Sequence, residues 1–186
     1  PTTSRCSEAS RRSSHRYSSK GVSQRSPSGG AGPPPALSQG AMDPAASRVI
    51  RRVLADNPAK SIDDPTLIPA AVMLLLYPKD GEYCVLLNKR TQTVEHHKGE
   101  ISFPGGRKDD EDESLLDTAL RETHEEMGIV PADVEVLGQV DDMPTNSNYL
   151  MSNFIGTIPY PYAFKPSEIE VAEILEAPVP ELMDPR

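Results

Sequence analysis

The chain has 186 residues, of which 37% are hydrophobic and 5% aromatic, and its formal net charge is −9. This length and composition support one folded domain with a core of ordinary size. The longest apolar run, residues 67–77, is shorter than the roughly 20 apolar residues that a membrane-spanning helix needs, which argues against a membrane protein.

Charge divides the chain into two parts. Residues 1–41 contain six Lys or Arg, one acid and eleven Ser, together with a GGAGPPP run. A segment of this kind buries too little apolar surface to offset its chain entropy, so we predict a disordered Ser/Arg/Pro-rich leader. Arg- and Ser-rich leaders are also typical of transit peptides. The alternative is a non-native stretch that precedes a natural start at Met42.

Residues 42–186 carry 13 basic and 27 acidic side chains. The electrostatic field of such an acidic domain repels polyanions, which argues against nucleic acid as a partner. The two cysteines, Cys6 and Cys84, lie in unlike surroundings and favour a reducing compartment. We therefore expect a cytoplasmic protein, or a mitochondrial or other organellar one if the leader is a transit peptide.

The folded part begins with a short helix predicted over residues 47–55, which an Asn57-Pro58 pair ends. Residues 70–78 are typical of a buried strand. An Asp80-Gly81 turn then leads into a second strand over residues 83–88. This pattern predicts a hairpin in the central sheet.

Further strands are predicted on either side of a polar loop, and the last segment is predicted to include a strand or a short helix. These predictions cover, in order, residues 133–140, the loop 141–148, residues 150–158 and residues 166–182. Strands grouped around one central helix favour the α/β (α+β) class, with a mixed sheet between helices.

The RETHEEMG stretch, residues 121–128, carries the chemistry. On a helix, Glu122, Glu125 and Glu126 share an arc of roughly 100°. The apolar positions lie on a different arc; they are Leu115, Leu116, Ala119, Leu120 and Met127, with Thr123 beside them. Clustered carboxylates repel one another unless a cation neutralises them, and hard oxygen ligands suit Mg²⁺ or Mn²⁺. The alternative is the solvated face of an amphipathic helix.

The surrounding segment, residues 102–130, resembles the Nudix box, which runs glycine, five residues, an acid, seven residues, then REUxEExGU with U apolar. The matching residues are Arg121, Glu122, Glu125, Glu126, Gly128 and Ile129, and Thr123 replaces an aliphatic residue. Counted back from Arg121, the acid position falls on Glu113 and the glycine position on Arg107, one step after Gly106. The resemblance implies a Nudix-type α/β/α sandwich with a mixed central sheet.

The preceding segment, residues 85–106, resembles the signature of the coenzyme A pyrophosphatase branch of that superfamily. The matching residues are Leu86, Leu87, Arg90, Gly99, Phe103, Pro104, Gly105 and Gly106. Asn88 stands in place of a Thr, and Glu95 in place of an Arg that could contact phosphate. The resemblance covers residues 67–183 and implies that further sequence follows, so we expect residues 42–186 to be a domain truncated at its C-terminus.

The resemblance implies a role for each candidate residue. Glu122, Glu125 and Glu126 are expected to bind Mg²⁺ or Mn²⁺, with Glu122, Glu125 and the orienting Arg121 forming the catalytic set. Gly105 and Gly106 would allow a tight turn near phosphate, and Gly128 would cap the helix. The expected phosphate contacts are Arg90 and Arg107, with Lys98 a further candidate. The general base is expected to be either Glu122 or an acid of a later loop, Glu170 or Glu173. His96 and His97 could reach a substrate phosphate, but we expect them to be surface residues.

These roles predict a hydrolase that cleaves the pyrophosphate of a nucleoside diphosphate derivative. The first choice is coenzyme A or acyl-CoA, cut to 3′,5′-ADP and 4′-phosphopantetheine. One alternative keeps the chemistry but uses ADP-ribose, a dinucleotide or a nucleotide sugar as substrate. The other is a noncatalytic Nudix-fold binding module. The partner would be a small molecule, and the sequence leaves a homodimer open.

Overall fold

The computed structural model describes residues 40–93 and 98–184. Residues 1–39 of the predicted leader lie outside the described residues, as do Glu95, His96 and His97. Within the described part, no helix has the length and apolarity that crossing a membrane requires.

The elements follow the predicted order, with helices near the start, middle and end. In chain order they are α1 (Pro44–Asp56), β1 (Ile68–Lys79), β2 (Glu82–Arg90), β3 (Ile101–Ser102), β4 (Gly105–Arg107), α2 (Leu115–Met127), a 3₁₀ turn (Pro131–Asp133), β5 (Glu135–Pro144), β6 (Tyr149–Thr157), β7 (Val171–Pro178) and α3 (Val179–Leu182). Helix α1 begins three residues before its predicted start, because the Asp43 side chain accepts a hydrogen bond from the Ala45 N–H and caps it. The two short strands β3 and β4 were not predicted.

The sheet is mixed, as predicted. Its strand order is β3-β2-β1-β6-β5, with β4 also paired to β1 and β7 also paired to β2. The predicted hairpin of β1 and β2 is present, and β1 and β6 form the parallel pair. Helix α2 packs on β1 and β4, while α1 packs on β5. The α/β class with helices against a mixed sheet is therefore confirmed.

The predicted loop over residues 141–148 is wrong in its first half, because β5 continues to Pro144. Polar residues are accommodated there since their side chains have partners: Ser152 Oγ donates to Asp142 Oδ1 at 2.7 Å, and the Lys60 N–H donates to Asp141 Oδ1 at 3.0 Å. The strand predicted over residues 133–140 starts too early, because Asp133 is the last residue of the 3₁₀ turn. The closing segment contains both a strand and a short helix.

Helix α2 places the acidic motif against the sheet. Ser114 caps its first turn, and Gly128 ends it with φ of +70°, the left-handed cap that was predicted. The predicted separation of an apolar face from an acidic face is wrong for Glu126, which is only 2% exposed. Strand β4 lies against the helix and covers this carboxylate. One acid of the motif is therefore part of the interior.

Candidate active site

A cavity of about 770 Å³ opens beside the Gly105-Gly106 turn. Four acidic residues line it, Glu100, Glu122, Glu126 and Glu170, and so do two basic residues, Arg90 and Arg107. Its volume is in the range of sites that enclose a small molecule. The cavity therefore brings together most of the candidate residues chosen from the sequence.

Glu126 is the most enclosed acid of the cavity. Its Oε2 accepts hydrogen bonds from Asn88 Nδ2 at 2.9 Å and from the Gly105 N–H at 3.1 Å. Its Oε1 lies 3.3 Å from Arg90 Nη1. Burial raises the pKa of Glu126 to about 7, against the opposing effects of the Gly105 hydrogen bond and the Arg90 charge.

Glu122 lies one helical turn before Glu126 and is less deeply buried. Arg121 Nη1 donates to Glu122 Oε1 at 2.8 Å. Burial raises the pKa of Glu122, and the Arg121 hydrogen bond opposes that shift. The Gly106 backbone passes so close that a Cβ placed there would lie 2.6 Å from Glu122 Cδ. Any larger residue at this position would therefore displace the Glu122 carboxylate.

Arg121 joins the acids of the motif to the loop before the helix. Its Nε and Nη2 donate to the two oxygens of Asp112, each at 2.9 Å. Its Nη1 also donates to Glu125 Oε2 at 3.1 Å, and its Nη2 to the Arg107 carbonyl at 3.2 Å. A planar guanidinium held on one side by a bidentate carboxylate has little freedom to turn. Arg121 can thus orient Glu122 without reaching the cavity itself.

Sequence reasoning missed Asp112, the acid that holds Arg121. The resemblance placed the acid position on Glu113, which is exposed, whereas Asp112 is buried and also accepts from Thr118 Oγ1 at 2.9 Å. The signal was available, because the motif places five residues between its glycine and its acid, and the five residues after Gly106 are followed by Asp112. The extra residue of the motif therefore lies between the acid and Arg121, not between the glycine and the acid.

The Asp112 ion pair predicts a pH-dependent stability. Hydrogen bonds from Arg121 hold the pKa of Asp112 well below its usual range. The stabilisation is therefore complete above the unfolded-state value of about 3.9, and it is lost as the pH falls below that value towards the folded-state pKa. Asp112→Asn is expected to lower the free energy of unfolding by about 3 kcal/mol at neutral pH, since it removes the buried carboxylate that Arg121 binds through two nitrogens.

Urea denaturation at a series of pH values between about 7 and about 3 checks this expectation. The difference between the wild-type chain and Asp112→Asn should narrow in the acid range. Glu113→Gln, which changes the exposed neighbour, should show no difference at any pH. A gap between wild type and Asp112→Asn that stays constant across the series would contradict the ion-pair explanation.

The remaining candidates are distributed unevenly around the cavity. Glu170 lines it, and its charge contributes to the raised pKa of both Glu122 and Glu126. Glu173 instead lies 4.0 Å from Lys89 Nζ on an exposed stretch of β7. The structure thus separates the two candidate acids of the later loop.

The predicted set of three metal ligands is not drawn together. Across residues 40–93 and 98–184, no three His, Cys, Asp or Glu side chains have the spacing of a metal site. The side chain of Glu125 is 54% exposed and pairs with Arg121. Lys98 is exposed as well. The metal-binding roles of Glu122, Glu125 and Glu126 stay predictions.

Curated relatives of the chain are Nudix hydrolases. The uncharacterized Nudix hydrolase NudL of Pectobacterium atrosepticum is 39% identical over 97 residues, which are 52% of this chain and 50% of that protein. NudL of Photorhabdus laumondii is 37% identical over 114 residues, or 61% of this chain and 60% of that protein. The chain thus spans about half to three-fifths of the length of these relatives.

Solved structures share the fold. The NUDIX domain of Shewanella oneidensis NrtR, complexed with ADP ribose, aligns with a TM-score of 0.52 at 22% identity, over 76% of this chain and 86% of that one. A C. elegans Ap4A hydrolase binary complex aligns with a TM-score of 0.52 at 16% identity, over 62% and 83%. The NUDIX domain family model itself matches residues 67–179. Because this match covers more than half of the chain, the protein belongs to the NUDIX domain family.

Proposed function

We propose that the chain provides the active site of a metal-dependent pyrophosphohydrolase acting on a nucleoside diphosphate derivative, with coenzyme A or acyl-CoA as substrate. The products would be 3′,5′-ADP and 4′-phosphopantetheine or its acyl derivative. One observation carries this proposal: Glu122 and Glu126 converge with Arg90 and the Gly105-Gly106 turn on a single cavity. A noncatalytic binding module has no comparable need for two enclosed carboxylates beside an arginine.

The carboxylate oxygens of this cavity are donors of the type that suits a hard divalent cation, Mg²⁺ or Mn²⁺. Nudix hydrolases generally need a divalent metal ion. Burial raises the pKa of both Glu122 and Glu126, so a cation would stabilise their ionised forms. We propose that these two residues hold the metal together with Glu170, which also lines the cavity, and that Glu125 joins them by turning its exposed side chain from Arg121. When bound, such an ion would offset the charge of the diphosphate and activate a water molecule.

The protein's own side chains account for substrate placement. Arg90 lines the cavity and contacts Glu126 through its Nη1, and since its Nε is buried, its Nη2 is the group that can serve a phosphate oxygen. Arg107 is an exposed second arginine at the same cavity. The general base would be Glu122 or Glu170, because both line the cavity whereas Glu173 does not.

The coenzyme A assignment is supported by where the upstream signature lies. Three residues of the signature, Arg90, Phe103 and Gly105, line the cavity. Asn88, which stands where the signature has a Thr, donates a hydrogen bond to Glu126. The signature is thus part of the site and not merely adjacent to it in sequence. The runner-up substrates are ADP-ribose, dinucleotides and nucleotide sugars, which the replacement of an expected Arg by Glu95 favours.

Hydrolysis of a substrate panel tests the proposal. Coenzyme A, dephospho-coenzyme A, ADP-ribose, a diadenosine polyphosphate and a nucleotide sugar would each be incubated with Mg²⁺ or Mn²⁺, and products separated chromatographically. We expect kcat/KM for coenzyme A to exceed that for every other compound by about tenfold or more, with 3′,5′-ADP as a product. Dephospho-coenzyme A is the matched control for recognition of the 3′-phosphate.

Two outcomes would contradict the proposal in different ways. Preference for another pyrophosphate would overturn the coenzyme A assignment and keep the chemistry. Metal uptake and ligand binding with no hydrolysis of any compound would instead favour the noncatalytic module.

A further inference from the structure

The side chains of Asn88 and Ser102 form a short chain of hydrogen bonds that ends on the Glu126 carboxylate. Asn88 is 1% exposed, and its Nδ2 donates to Glu126 Oε2 at 2.9 Å. Ser102 Oγ donates in turn to Asn88 Oδ1 at 2.6 Å. The pairing of β2 with β3 places Asn88 and Ser102 directly opposite each other. Sequence comparison marked Asn88 only as a departure from the expected Thr.

The direction of these hydrogen bonds follows from the groups involved. Glu126 Oε2 already accepts from the Gly105 N–H at 3.1 Å, so this oxygen presents an acceptor to Asn88. Asn88 must therefore turn its NH₂ towards Glu126 and its carbonyl towards Ser102. A hydroxyl can donate to that carbonyl, which prevents the buried amide from turning over. Ser102 thus sets the orientation of Asn88, and Asn88 sets that of Glu126.

We propose that Asn88 and Ser102 are positioning residues, which fix the Glu126 carboxylate for cation and substrate binding. Asn88 and Gly105 both donate to Oε2 of Glu126. Its other oxygen, Oε1, contacts Arg90, which lines the cavity. A carboxylate restrained in this way keeps a single orientation. It therefore loses less conformational entropy when a cation binds. This inference rests on the proposed function, because it concerns the same carboxylate.

Mn²⁺ binding to the metal-free chain, measured by calorimetry without substrate, tests the inference. Ser102→Ala and Asn88→Ala are each expected to weaken Mn²⁺ binding by about tenfold, the usual cost of losing a group that orients a ligand. In hydrolysis assays, kcat should fall by a similar factor with little change in KM. Ser102→Thr keeps a hydroxyl at the same position and should restore both values.

Ser152→Ala is the matched control. Ser152 is likewise a strand serine, buried where Ser102 is partly buried, and its Oγ donates to Asp142 Oδ1 at 2.7 Å, but it does not line the cavity. Its loss should lower the melting temperature about as much as Ser102→Ala does, and leave Mn²⁺ affinity unchanged. A general loosening of the sheet would instead weaken Mn²⁺ binding in both variants, which would contradict the inference.

The double variant separates positioning from direct contact, because Ser102 itself lines the cavity. If Ser102 acts through Asn88, then adding Ser102→Ala to Asn88→Ala causes no further loss of kcat or of Mn²⁺ affinity. Additive losses would overturn the inference. Should Asn88→Ala fail to fold, Ser102→Ala compared with Ser102→Thr and Ser152→Ala decides alone. An unchanged Mn²⁺ affinity in folded Ser102→Ala would overturn the inference while leaving the proposed function intact, whereas a wild-type chain that takes up no Mn²⁺ would contradict both.

Discussion

Replacing Glu126 with Gln is expected to lower kcat for coenzyme A hydrolysis by about 10²–10³-fold, the usual loss when one preorganised charge-stabilising group is removed from a site. Gln keeps the size of the side chain and an oxygen that can accept from Asn88 and Gly105. It lacks the charge that faces Arg90 and that would hold a cation. The melting temperature should stay within about 4 °C of the wild-type value, because the variant also removes a buried charge.

Steady-state hydrolysis with Mg²⁺, together with a thermal melt of each protein, measures both effects. Glu113→Gln is the matched control, because it neutralises an exposed acid that lies outside the cavity lining. That variant should retain wild-type kcat. If Glu126→Gln kept more than about a tenth of wild-type kcat, Glu126 would not be the central carboxylate that we propose.

The features that could be predicted from the sequence are those that depend on local chemistry. Helix α2 follows from its apolar spacing and its Gly128 end, each of which acts within one or two turns. The hairpin of β1 and β2 follows likewise from two apolar runs around an Asp80-Gly81 turn. A turn residue or a cap needs no knowledge of the rest of the fold.

The features that could not be predicted depend on segments distant in the chain. Helical periodicity places Glu126 at the boundary between the acidic and apolar arcs. It is buried because β4 and Asn88, which are distant in the chain, pack against it. The choice between Glu170 and Glu173 also depends on the tertiary structure. In the sequence, both are acids of one predicted loop, and nothing there shows which of them lies at the site. Glu170 lies in the turn just before β7 and lines the cavity, whereas Glu173 lies on β7 beside Lys89.

Extra residues in a motif raise a related difficulty. A pattern counted from one end places the acid at Glu113, and counted from the other end at Asp112. The choice depends on burial, since only Asp112 is enclosed and can hold Arg121 in a bidentate pair. Strand β5 is similar: its polar residues resemble a loop until Ser152 and the Lys60 backbone are known to satisfy them.

Replacing Gly106 with Ala is expected to abolish most activity without unfolding the chain. An added Cβ would lie 2.6 Å from Glu122 Cδ, so the carboxylate must move. The end of a flexible side chain can move at low cost, and the backbone of Gly106 is not in the left-handed region that favours glycine. We therefore expect kcat to fall by about 10²-fold or more, because a displacement of this size disrupts a positioned catalytic group.

The adjacent glycine provides the contrast that makes this prediction specific. Gly105 has φ of +153°, and its added Cβ would meet the Ala71 carbonyl and the Val72 backbone in the paired strand β1. Because backbone in a sheet cannot yield as a side chain does, Gly105→Ala should lower the free energy of unfolding by more than about 1 kcal/mol. Activity and urea denaturation measured on both variants separate the two effects.

Gly81→Ala is the control for glycine replacement as such. Gly81 has φ of +88° in the turn between β1 and β2, and an added Cβ there meets nothing within 4 Å. We expect a modest loss of stability from backbone strain and an unchanged kcat. A Gly106→Ala protein that hydrolysed coenzyme A as fast as Gly81→Ala would show that Glu122 tolerates displacement, and would remove Glu122 from the proposed set of metal ligands.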